Sequence, residues 1–355
     1  MNKILSIIAL ALIGVCSLKA AGSDTIKVIA VGDIMMGTIV PDGKHLPPNN
    51  DCSPQLSEVK DILASGDITF GNLEGVLTDS KASAKRCNNP RLCYTFGMPT
   101  SFVNCLKDAG FNLLSVANNH VGDFGEQGRK STVETLDKAG IHYAGLKDYQ
   151  VSTTFAVDGV KYGFCAFAPN RGTVDVRDIP AAQELVRKLA AECDVVIVSF
   201  HAGAEGAKYQ HVTRKLETFV GENRGNVYEF AHKMIDAGAD ILLGHGPHVT
   251  RAVEVYKDRF ITYSMGNFCT YDRVNISGVN GLAPIFKIYT DKEGKFLKAE
   301  VVSTYQTKYE PVRIDEGKRV LKVIQDLTKQ DFPEMKEVIS ISDEGLILPA
   351  GGGLE

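Results

Sequence analysis

The sequence predicts an α/β fold, and two observations carry that expectation. Five short runs are nearly continuous in Val, Ile, Leu or Phe: IKVIAV, DITF, NLLSVA, DVVIVSF and DILL. Such runs are what strands covered on both faces look like, so each is expected in the interior of a sheet. Between them lie amphipathic stretches closed by glycine, as helices that return the chain to the next strand are. At 355 residues with 44% hydrophobic side chains, the chain has enough apolar material for one large domain or two small ones.

The helices are placed by their ends. Thr100 caps a helix running to residue 109, with Gly110 as its stop. Asp178 and Pro180 begin another that ends near residue 191, and Asn226 opens a third closed at Gly238. The phrases KDAGF and DAGAD share helix-to-strand turn chemistry but are no repeat, because their flanks differ. From Gly281 the pattern turns to strand pairs, PIFKIYT and FLKAEVVST, joined by a hairpin around Gly294. Beyond Pro311 one helix-like segment spans 317–330, and the closing PAGGGLE is expected to be disordered. No low-complexity linker divides the chain, so we expect residues 22–310 to form one domain and 311–355 a C-terminal extension.

Residues 1–21 read as a signal peptide: a basic start at Lys3, an apolar run too short to span a bilayer, then Ala20, Ala21 and Gly22. The alternatives are an uncleaved anchor and lipidation at Cys16, against which Val15 is bulkier than the small residue usual before a lipidated cysteine. No later segment looks membrane-spanning, and the expected setting is periplasmic or cell-envelope associated. Without the leader, which holds Lys3 and Lys19 and no acid, the formal charge moves from −4 to −6. That balance argues against a nucleic-acid binder, which would carry a basic excess.

Export also permits disulfides. Cys87 and Cys93 bracket the turn-rich CNNPRLC and are the expected bridge; two free thiols or a small metal clip are the alternatives. Cys165 and Cys269, set among apolar residues, read as buried thiols.

The chemistry gathers where the apolar runs end. In open α/β sheets ligands bind beyond the carboxyl ends of the strands, where loops converge. There the sequence places Asp33, Glu74, Asn119, His120, His201, His245 and His248. Any one of them would pass for a cap or turn residue, but together they form a metal-ligand set. Carboxylate, amide oxygen and imidazole suit Mn, Zn or Fe better than Ca²⁺ or Mg²⁺. One or two ions fit, with Glu74 best able to bridge a pair. A bound ion would bring the pKa of coordinated water to about 7, ready to attack a phosphoryl or carbonyl centre.

The series VGDIMMG, GNLEG, SVANNHVGDFG, SFHAGAEG, GHGPHV and YSMGNF resembles the CapA, or poly-γ-glutamate biosynthesis, proteins of capsule synthesis. That family looks like a branch of the calcineurin-like metallophosphatases. The resemblance implies a four-layer α-β-β-α metallophosphatase-like sandwich with two facing sheets. It also implies metal ligation by Asp33, Glu74, Asn119, His201, His245 and His248, with His120 as proton donor or charge stabiliser, oriented by Asp123. From the residues themselves, Glu205, Arg224 and Arg251 are the expected substrate contacts. A further ligand, a partner behind the ligands or a solvated loop acid are the alternatives for Glu205, and a plain polar loop for Arg224; Ser264 and Asn267 are expected to shape the turn beneath the site. Two departures stand out: Met35 replaces a histidine of the phosphatases, weakening one metal subsite. Gly246 replaces an imidazole of many relatives, leaving room for a larger substrate.

Two functions follow from these readings. One is a metal-dependent hydrolase or transferase acting on a phosphoester or amide bond of an envelope or capsular polymer, or of a small substrate. The other is a non-catalytic metal- or polymer-binding factor for assembly or export.

Overall fold

The computed structural model describes residues 25–86 and 94–351. The leader and the expected Cys87–Cys93 bridge lie outside these residues. All five apolar runs are interior strands of two mixed sheets. In the first, of ten strands, Ile26–Met35 is central, with Ile68–Leu73, Leu113–Ser115 and His142–Ala144 parallel to it on one side. On its other side Leu282–Thr290 runs antiparallel to it and pairs with Phe296–Tyr305 as the hairpin expected around Gly294. In the second, of six strands, Val160–Phe167, Val195–His201, Ile241–His245 and Arg259–Thr262 are parallel.

Alternation along the central strand explains the layering, since successive side chains leave opposite faces. Val28 and Ala30 join a core shared with the second sheet, while Ile29 and Val31 face helices Val103–Asp108 and Gly125–Ala139. Phe70 meets Phe164, and Phe286 meets Phe260, with ring centroids 5.8 and 5.6 Å apart across the gap between sheets. Helices Ile179–Glu192 and Val227–Asp236 cover the outer face of the second sheet. The result is the four-layer α-β-β-α sandwich.

Two of the three expected caps form; Thr100 instead lies in a short 3-10 turn ahead of helix Val103–Asp108, its hydroxyl drawn away to Asp79 Oδ2 at 2.6 Å. The Asp178 side chain accepts from the Ala181 N–H at 3.2 Å and that of Asn226 from Glu229 at 3.2 Å. Gly110 and Gly238 close the two matching turns at φ 94° and 108°, where a side chain would be strained. Cys165 and Cys269 are buried free thiols. The chain carries a disulfide that the spacing did not suggest: Cys52 is joined to Cys105, tying the segment after the first strand to helix Val103–Asp108.

The last part of the chain corrects one expectation. The helix begins at Arg319 and packs on the strands of the late hairpin. After it, Ile339–Ile341 and Leu346–Pro349 form a second hairpin that extends the first sheet, paired to Phe296–Tyr305. Pro349, expected in a disordered tail, sits opposite Ile339, and Ala350 N–H donates to Val338 O at 2.7 Å. A proline is tolerated there because it is the last residue of its strand, beyond the pairs Ile347–Ala299 and Leu346–Glu300 made to the inner neighbour.

Candidate metal centre

Strand register brings the site together. In the first sheet Asp33 is in register with Asn72 on one neighbour and Asn267 on the other. In the second, His245 is in register with His201. Asp33, Asn72, His201 and His245 stand at or near the carboxyl ends of parallel strands, Asn267 opens its own, and the approach of the two sheets joins them. Asp33 Oδ1 lies 3.1 Å from His245 Nδ1, and Oδ2 lies 2.9 Å from His248 Nδ1. Close backbone packing fixes the carboxylate: Asp33 N–H donates to Gly266 O at 2.8 Å, and a Cβ on Gly32 would meet that oxygen at 2.0 Å.

Glu74, His201 and His248 present ligand atoms within 4.8 Å of one another. Glu74 Oε1 is 3.4 Å from His248 Nε2. Five buried atoms here have no hydrogen-bond partner: Glu74 Oε1, Asn119 Oδ1, both ring nitrogens of His201 and His245 Nε2. Buried polar atoms are nearly always paired with protein, ordered water or ligand, so this convergent set of orphans marks a candidate ligand site. Oxygen and imidazole nitrogen in that mixture fit a divalent transition metal.

The charges agree with such a site. Burial disfavours the Asp33 carboxylate, but hydrogen bonds from His245 and His248 outweigh it and hold its pKa well below the ordinary range. For Glu74, burial and the neighbouring Asp33 charge both push the pKa well above the usual value. Burial, helped by the nearby charges of His248 and Arg224, drives His201 well down against the pull of Asp33. His248 is opposed by burial, yet Glu74 and Asp33 raise it to about 10. His248 also adopts φ 57°, a left-handed backbone that is uncommon away from glycine. Asn267 holds that turn by donating to His248 O at 3.1 Å, the supporting role expected of it.

His120 is carried by the loop after Leu113–Ser115. Its Nδ1 lies 2.8 Å from Asp123 Oδ2, and the other Asp123 oxygen meets Lys85 Nζ at 2.6 Å. Burial lowers the His120 pKa against the pull of Asp123. Asp33, Met35, Glu74, Asn119, His120, Glu205 and His248 line a cavity of about 990 Å³. His201 and His245 are buried beneath its floor.

The expected substrate contacts divide. Glu205 lines the cavity, and Arg224, itself buried, donates to it from behind. Arg251 is not brought there. It is fully buried and grips Glu217 through two bonds of 2.9 and 2.7 Å, with further bonds to Tyr209 O and Ala204 O. A guanidinium saturated by a carboxylate is a structural clamp. Gly246 also departs from expectation: at φ 114°, a Cβ there would meet Ala202 O at 2.5 Å. The glycine is demanded by that close approach and opens no space for substrate.

Two amides escaped the sequence reading. Asn72 Nδ2 lies 2.8 Å from Asp33 Oδ1 and 3.2 Å from Glu74 Oε2. Asn118 donates to Asn72 Oδ1 and Leu73 O and accepts from His120 N–H. The spacing of Asn72 and Glu74 in GNLEG was a usable signal, because strand residues two apart share a face.

Comparison with known proteins agrees with the motifs. Residues 27–272 match the family described as bacterial capsule synthesis protein PGA_cap. The capsule biosynthesis protein CapA of Bacillus anthracis is 30% identical over 265 residues, covering 72% of this chain and 62% of that protein. The PGA biosynthesis protein CapA of Bacillus subtilis is 29% identical over 329 residues, covering 88% and 80%. Among solved structures, a phosphatase from Mycoplasma pneumoniae aligns with TM-score 0.49 and 17% identity over 80% of this chain and 95% of its own. A putative 5'-nucleotidase from Staphylococcus aureus aligns at TM-score 0.43 and 13% identity, over 89% and 59%. With its motifs in order along the matched span, the chain belongs to the bacterial capsule synthesis PGA_cap family.

Proposed function

We propose that this protein is an exported, metal-dependent hydrolase or transferase acting on a phosphoester or amide bond in capsular or envelope polymer metabolism. The observation that carries this reading is the set of orphaned, buried donor atoms beside a cavity that also presents His120. Glu74, Asn119, His201, His245 and His248 would hold the ion, of Mn, Zn or Fe type, with Asp33 as ligand or orienting base. When bound, the ion supplies Lewis acidity and an activated water.

The chain's own groups do the rest. Asp33 fixes the ring orientation of His245 and His248, as carboxylates behind metal-binding imidazoles do. Asp123 holds His120 by Nδ1 and leaves Nε2 to pass a proton to the leaving group. Glu205, backed by Arg224, would position substrate at the cavity wall. No helix among the described residues is long and apolar enough to cross a membrane, and the leader motif supports export.

Met35, where the phosphatases carry a histidine, favours a second reading: a factor that holds metal or polymer for assembly without turnover. Elemental analysis of the purified mature chain, beside His245→Ala and His248→Ala, tests the metal centre; equal metal in all three would sink it. Phosphomonoester, phosphodiester and γ-glutamyl amide probes with Mn²⁺ or Zn²⁺ then separate the readings. Turnover lost with His201→Ala supports the enzyme; metal retention with no turnover of any probe supports the binding factor.

A further inference from the structure

The cavity holds a second histidine built like His120. His45 Nδ1 lies 2.6 Å from Asp272 Oδ2, and the other oxygen of that buried carboxylate meets Lys308 Nζ at 3.0 Å. The same order, imidazole Nδ1 to buried aspartate to lysine, joins His120, Asp123 and Lys85 at 2.8 and 2.6 Å. His45, Asp272 and Lys308 all line the cavity that Asp33, Glu74 and His248 line.

Three separate chain segments build this second cluster. His45 lies on the loop after Ile26–Met35, pinned where Thr38 N–H donates to His45 O at 3.1 Å. Asp272 follows Asn267–Thr270, which pairs with the end of that same strand, and Arg273 N–H also donates to it at 2.7 Å. Lys308 is brought in where Tyr309 N–H donates to Tyr271 O at 3.1 Å. A surface ion pair needs none of this. A carboxylate buried to 3% exposure and aimed at one imidazole nitrogen sets the ring's tautomer and leaves Nε2 as the basic atom.

We propose that His45 is a second proton-transfer group of the site, serving the hydroxyl or amine of an acceptor molecule bound in the same cavity, with Asp272 and Lys308 as its positioning residues. The assignment rests on the enzyme reading above and makes the reaction a transfer. The acceptor's O–H or N–H proton passes to His45 Nε2 as its electron pair forms the new bond to phosphorus or carbonyl carbon. The bond to the leaving group then breaks, its electron pair staying with the leaving atom, which takes a proton from His120. One proton is gained by His45 and one lost by His120, and exchange with solvent restores both. A cavity of about 990 Å³ has the size for two such reactants.

The test uses the Mn²⁺-loaded mature chain with p-nitrophenyl phosphate, with and without ethanolamine, which offers both a hydroxyl and an amine. With ethanolamine, p-nitrophenol release should exceed inorganic phosphate. His45→Ala should lower transfer by about 10²-fold, the low end for a general base, and added imidazole should restore part of it. His45→Gln serves as a second variant, and thermal melts of both check folding. Equal phenol and phosphate in the native protein, or a His45→Ala loss that imidazole leaves untouched in a folded variant, overturns the assignment. If no probe turns over, the enzyme reading fails by itself, and diethyl pyrocarbonate mapping then decides on His45. Carbethoxylation of His45 that slows with Asp272→Asn supports a polarised base; a rate indifferent to Asp272 overturns it.

Discussion

His245 Nδ1 stands 3.1 Å from Asp33 Oδ1, although 212 residues separate them and they end strands of different sheets. The contact joins the carboxyl ends of both sheets at the candidate metal centre. Its strength depends on the groups that hold Asp33 in place.

Asn72 is the first of these groups. It donates to both Asp33 and Glu74, so Asn72→Ala should weaken metal binding by about 10–100-fold, the range for partners behind metal ligands. Competition with a chelator of known affinity measures it, and an unchanged dissociation constant would remove Asn72 from the site.

The metal-free protein should lose stability as pH rises. His248 is raised to about 10 from an ordinary 6.5, so its contribution is fully present below pH 6.5 and is lost as pH climbs through 10. Glu74, raised well above 4.5, acts in the same direction. Melting curves of the chelator-treated protein at about pH 6 and about pH 9, below the ordinary histidine value and well into the window of loss, should show the lower midpoint at the higher pH, and His248→Gln should flatten the difference.

Arg251→Ala should destabilise the fold by about 3–5 kcal/mol, because Glu217 is left charged and buried. Denaturant titration reads this out. A loss well under 1 kcal/mol would mean the clamp is not formed in solution.

Gly246→Ala should cost about 1–3 kcal/mol for the strained backbone alone, beyond the clash with Ala202. The same denaturant titration measures it, and a variant as stable as the parent would show that the loop can move aside.

Cys52 and Cys105 should yield one cross-linked peptide in non-reducing digests, and Cys52→Ser should cost about 2–4 kcal/mol. The loss should also loosen the neighbouring segment that carries His45.

Much of this was legible in residue patterns. Continuous β-branched runs located the interior strands, and Asp178 and Asn226 marked helix starts by the hydrogen bonds their side chains make. Candidate ligands such as His201 and His245 could be found because they end those runs. What was hidden depends on pairing between distant segments. Nothing local to Cys52 or His45 announces Cys105 or Asp272, since loop packing creates both contacts. Arg251 misled because a guanidinium after GHGPH looks available until Glu217 is seen to occupy it. Gly246 misled because an absent side chain reads as space, when backbone from Ala202 already fills it.

The union of Asp33 with His245 and His248 also bears on how the chain matures. Each sheet alone holds only half of the candidate donors, so a cation captured there would work as a rivet through both layers. Binding only the assembled form, it would draw the equilibrium toward the closed sandwich by mass action. Metal supply in the compartment where folding finishes would then govern how much of the chain survives proteolysis, independently of any turnover.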